Sequence, residues 1–178
     1  MVVRAKRNLG GLTRASRNPE LWQKALAQLR MWGDVIPSEK PVRVATNYSA
    51  AGSKGLPLYA PRLIARYVRS VADICESGLI TSHPTNTGDV RGGTIPVPLA
   101  VNHLNLYTTM RLLWNTQQDV DALLNEYYRK FYGPAAEQMK AFISYSEENC
   151  LKMTEEETAI TEALQRLKAA RKAAGTGN

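Results

Sequence analysis

Between Asn102 and Ile143 the apolar positions recur with helical spacing, and two breaks divide the stretch into three segments. Leu104, Tyr107, Arg111 and Trp114 fall at i, i+3, i+7 and i+10, with Leu106, Met110 and Leu113 beside them. That pattern predicts a helix with a wide apolar face, ending at Asn115-Thr116. Gln118 or Asp119 opens a second helix, in which Asp119 and Asp121 suit the positive end of the helix dipole. Val120, Leu123, Leu124, Tyr127, Tyr128 and Phe131 form its stripe. Gly133-Pro134 stops it and starts a third, since glycine suits C′ and proline suits N1.

Upstream, Asn18-Pro19 reads as N-cap and N1 of a helix with Leu21, Trp22, Ala25, Leu26, Leu29 and Trp32 on one face, stopping at Gly33. Val42 to Tyr48 alternates and is β-branched at three positions, which predicts a short strand. Pro61 begins a helix predicted to close at Gly78, and Leu79 to Ser82 reads as a second strand. Strand, loop and helix in this order predict βα units with parallel strands. Near the end, Thr154-Glu155-Glu156-Glu157 looks like a capping box, followed by a thin apolar line of Ile160, Leu164 and Leu167. The expected organisation is a basic tail over 1–17, an α/β domain over 18–153 and a terminal helix with a frayed tail over 154–178.

Composition changes this picture little. The chain has 178 residues and 44% hydrophobic content, which suits one globular domain. The net charge of +7 comes from the ends: five basic groups lie in 1–17 and four in 163–178, with no acid in either. The body between them has a net charge of −2, so a specific nucleic-acid surface is not expected. No apolar run approaches the roughly 20 residues that span a bilayer, and the first residues lack the apolar core of a secretory signal. Cys75 and Cys150, both expected inside helices, read as buried free thiols, and two histidines outside any cysteine cluster predict no metal and no cofactor.

The stretch LNLYTTMRLLWNTQQDVDALLNEYYRKFYGPAAEQMKAFI resembles the C-terminal helices of a family of large bacterial proteins catalogued as a domain of unknown function. That family is grouped with glycoside hydrolases because its barrel is like that of α-glucuronidases. GLPLYAPRLIARYVRSVADICESGLI is similar to another part of it, with Arg66 or Tyr67 where the family has an aspartate. The resemblance implies a helix-rich α/β fold: a partial (β/α) barrel-like set of βα units with a C-terminal helical buttress. It also implies a secreted or periplasmic location, and a chain that continues as a longer polypeptide or meets a second chain.

On that reading the chemistry lies in the polar loops at the strand ends. The candidate substrate-binding residues are Asn47, Tyr48, His83, Asn86, Asp89 and Arg91. Asparagine amides and the Tyr48 ring suit sugar hydroxyls and a pyranose face, and a guanidinium at Arg91 matches a uronate carboxylate. A glycosidase uses two carboxyl groups about 5–10 Å apart. Only Asp89 stands on a site loop, and Ser82-His83 stands where relatives have Glu-Gly, so a full catalytic pair is not expected in this chain. The function expected is that of a C-terminal portion of a glycoside-hydrolase-like protein that binds or processes a complex glycan, uronic-acid-containing glycans among the candidates. The alternative is a non-enzymatic helical interaction module that uses the aromatic face of residues 104–143.

Overall fold

A computed structural model of the chain describes residues 5–8, 18–35, 42–47, 59–81, 85–86, 95–96 and 99–175. Side chains are described over 18–35, 59–75 and 102–175. The chain forms two compact units, Met1–Gln117 and Gln118–Asn178.

In the first unit, helix α1 (Pro19–Val35) starts as its sequence dictates. Asn18 Oδ1 accepts from the amides of Glu20 and Leu21 at 3.0 and 3.2 Å, which satisfies two of the donors orphaned at a helix start. The helix runs on through Gly33, which the sequence reading took as its stop. A Cβ at that position would lie 2.8 Å from Ile74 Cγ2, so the glycine permits close approach rather than termination. Helix α2 (Pro61–Val71) packs against α1. Trp22, Leu26 and Leu29 meet Tyr67 and Val71, with Leu63, Ile74 and Cys75 at the margin. Each large apolar side chain in such a cluster contributes about 1.5–3 kcal/mol. The Trp22 and Tyr67 rings meet edge-on with centroids 6.2 Å apart, and the Arg66 guanidinium sits 4.5 Å above the indole.

Helix α2 stops seven residues before the predicted Gly78. Cys75 to Thr81 is strand β3, so Cys75 is not helical and Gly78 lies within the strand. Strand β3 pairs in parallel with β2 (Val42–Asn47), and β2 pairs in parallel with β1 (Ala5–Asn8). The order is β1-β2-β3. Strand β1 falls within the segment read as a basic tail. Strands β4 (Thr85–Asn86) and β5 (Ile95–Pro96) form a two-residue antiparallel pair. Helix α3 (Leu99–Trp114) then packs on α2.

The second unit is helical throughout its described residues: α4 (Val120–Tyr132), α5 (Ala136–Asn149) and α6 (Glu157–Ala173), with 3₁₀ turns at Gly133–Ala135 and Lys152–Thr154. Asp119 caps α4, accepting from Asp121 N at 2.9 Å and Ala122 N at 3.1 Å. Gly133 ends it with φ of 50°, a conformation that suits a residue without Cβ. The predicted capping box at Thr154 does not form. Thr154 sits in the 3₁₀ turn, its hydroxyl donating to the Leu151 carbonyl at 2.7 Å, and α6 begins three residues later with no side-chain cap. Helix α6 buries Ala159, Ala163 and Ala170, while Leu164 and Leu167 of the predicted apolar line are exposed. Small side chains let α6 lie close on α5, and the leucines of the adjacent face then point outward.

The partial (β/α) barrel is overturned. Over the residues with described side chains the chain is 83% helical. Among the described residues the parallel strands are three, of four to seven residues each, and do not make a barrel wall. The physical reason is plainest in residues 118–175. There Leu123, Leu124, Tyr127, Phe142 and Ile143 are buried between helices, and apolar faces that cover one another need no sheet.

Candidate functional site

Four of the five buried polar residues among those described lie on α3, the fifth being Ser146 of α5. Asn102, Asn105, Thr108 and Thr109 are all buried, on the same helix as the buried Leu104 and Leu112. Asn105 Oδ1 accepts from the backbone amide of Ala60, the residue that caps α2, at 3.1 Å. A helix start has amides with no partner in the helix, and here a side chain from 45 residues away supplies one. Thr109 Oγ1 donates to the Asn105 carbonyl at 2.7 Å, which ties the two turns of α3 together. Thr108 Oγ1 is buried without a hydrogen-bond partner, the kind of group that water or a polar ligand satisfies. The sequence reading missed this seam because it followed the aromatic and leucine positions. Its signal was there: Asn105, Thr108, Thr109 and Leu112 stand at i, i+3, i+4 and i+7, the spacing of a single helical face.

The predicted site residues fare as follows. Asn47 is the last residue of β2, and the register sets it beside Asn8 at the end of β1 and Thr81 at the end of β3. Three polar residues thus form one row at the C-terminal ends of three parallel strands. Asn86 lies in β4 opposite Ile95. Tyr48, His83, Asp89 and Arg91 lie outside the described residues. His103 is an exposed residue inside α3.

Four of the described carboxylates serve structure. Asp119 is a cap, Asp73 meets Arg30 at 3.6 Å on the surface, and Glu126 and Glu162 pair with Lys130 and Arg166 one turn on. Among the described residues no three His, Cys, Asp or Glu side chains come together as a metal site would require. Both cysteines are free thiols. Burial pushes the Cys75 thiol up to about 11, with the Asp73 carboxylate adding to the effect. Burial likewise raises Tyr132, partly offset by a hydrogen bond with Tyr127. Both are the marks of packed side chains rather than activated ones.

Of the seven aromatic residues in 104–143, Tyr127, Tyr128 and Phe142 are buried and Tyr107 and Tyr132 half-buried. The Phe131 ring stacks on Tyr127 with centroids 5.1 Å apart. Met110, Leu113, Trp114 and Phe131 are exposed. No helix among the described residues is long and apolar enough to cross a membrane.

Residues 79–144 match the family described as Domain of unknown function (DUF4838), less than half of the chain. Neither the curated proteins nor the solved structures contain a match.

Proposed function

We propose that this chain is a glycan-binding part of a larger glycoside-hydrolase-like protein, contributing contacts to a saccharide and no complete catalytic pair. The observation that carries the reading is the row Asn8, Asn47, Thr81. It lies where parallel strands end, the place at which α/β folds gather their ligands. Amides and hydroxyls are also the groups that exchange hydrogen bonds with sugar hydroxyls without demanding a charge. The family that residues 79–144 match is described only as a domain of unknown function, so the glycan reading is carried by the row and by the sequence resemblance. Tyr48, His83, Asp89 and Arg91, the other residues that the sequence offers for saccharide contact, lie outside the described residues.

The test is calorimetric titration of the full chain with neutral and uronic-acid oligosaccharides. Asn47→Ala, His83→Ala and Arg91→Ala are compared with the unaltered chain. Binding weakened by these changes is the expected result. Binding indifferent to all three removes the reading.

A further inference from the structure

Helix α3 leaves the core at its C-terminal end. Along the line Leu104, Tyr107, Arg111, Trp114 the side chains pass from buried, through half-buried, to an indole that is 91% exposed. The three outer residues stand at i, i+4 and i+7, one above another on the helix surface. Arg111 Nη1 donates to the Tyr107 hydroxyl at 2.9 Å, and the guanidinium lies 5.6 Å from the phenol ring centre. The cation is therefore held in place rather than sweeping through solvent. A second guanidinium is fixed at the same helix end: Arg69 Nε, from α2, donates to the Thr116 carbonyl at 3.1 Å. It offsets the partial negative charge that a helix C-terminus carries. No Asp or Glu occurs from 40 to 72 or from 90 to 118, stretches that contain both packed helices and Arg62, Arg66, Arg69 and Arg111.

An indole open to water, a phenol and an oriented guanidinium in a row form a recognisable surface. The ring faces take the C–H face of a flat ligand, and the guanidinium takes an oxyanion in a forked pair of hydrogen bonds. We propose that Trp114, Arg111 and Tyr107 form a platform for a pyranose residue bearing a carboxylate or sulfate, with Trp114 stacking on the ring and Arg111 holding the anion. This rests on the reading of the chain as a glycan binder, and adds a contact apart from the strand-end row. One fully exposed ring beside one ordered cation suits a single sugar unit. A polynucleotide groove would need a succession of exposed rings along a basic track.

The experiment titrates the full chain with four probes: tetragalacturonate, a heparin-derived sulfated tetrasaccharide, neutral cellotetraose and a short oligothymidylate. Calorimetry and tryptophan emission are the readouts. The expected result is tighter binding of a charged saccharide than of the neutral one, and the two charged probes tell carboxylate from sulfate. Trp114→Ala and Arg111→Gln weaken that binding about tenfold or more, Arg111→Lys less, with unchanged circular dichroism as the check on folding. Charged-saccharide binding that both Trp114→Ala and Arg111→Gln leave intact overturns the platform. So does oligothymidylate that binds as tightly as the saccharides, or the absence of binding by any saccharide. Asn47→Ala separates the two readings. Loss with Asn47→Ala alone leaves the strand-end reading and removes the platform, whereas loss with Trp114→Ala alone does the reverse.

Discussion

Residues 118–175 hold together through neighbours in sequence, whereas residues 5–117 depend on partners brought from far along the chain. In the first case a helix is capped by the residue before it, Asp119. Its Tyr127 ring meets those of Phe131 and Tyr132, four and five residues on, and it hands over to the next helix at Gly133. In the second case the start of α2 is completed by Asn105, and β2 acquires its neighbours from residues 5–8 and 75–81. Local contacts cost little chain entropy to form, and distant ones cost more and return it only when the partner arrives. The proposed binding surfaces both lie in the second kind of region. The strand-end row joins residues of three distant segments, whereas the platform stands on the single helix α3.

Substitutions can break this contrast, beginning with the largest effect. Leu124 is fully buried among the locally built helices. Leu124→Ala leaves a cavity there and costs about 2–5 kcal/mol, measured by denaturant unfolding. A cost below about 1 kcal/mol would mean that this helical core is loosely packed. Asn105→Leu strands the buried Ala60 amide, at a cost of about 1–3 kcal/mol. The expected signature is faster hydrogen exchange at Ala60 and the first turn of α2. Unchanged exchange there would show that the distant partner is dispensable. Asp119→Ala removes a local cap and costs about 1 kcal/mol, with fraying confined to the first turn of α4.

The smallest effect concerns pH. The folded Cys75 thiol ionises near 11 against an ordinary value of 9.0, so the folded state retains a proton that the unfolded chain loses. That contribution is fully present below pH 9 and is lost as pH rises from about 9 to 11. Stability of the unaltered chain therefore falls over that interval more than that of Cys75→Ala. At pH 8, Cys75 should react with a thiol reagent more slowly than a free cysteine does. Equal rates would show that burial does not protect it.

Much of the helical half was legible beforehand. Asn18-Pro19, Asp119 and Gly133-Pro134 are local signals acting on the nearest backbone, and the structure uses each where the sequence places it. Thr154 was misread because a capping box and a 3₁₀ turn begin with the same residue types, and packing of α6 through its alanines selected the later start. Gly33 was misread because a glycine that ends a helix and one that admits a neighbour look alike until Ile74 is in position.

By itself, the sequence determined where helices begin at Asn18-Pro19 and Asp119 and where α4 stops at Gly133. Caps, breakers and a 3.6-residue period act within a few residues of themselves. Only the tertiary structure decided that Ala5–Asn8 is a strand, that Asn47 stands between Asn8 and Thr81, and that Asn105 completes the start of α2. It alone buried Tyr127 and Tyr128 while leaving Trp114 in water. An aromatic residue has the same periodicity in either setting, and which it enters depends on whether another element arrives to cover it.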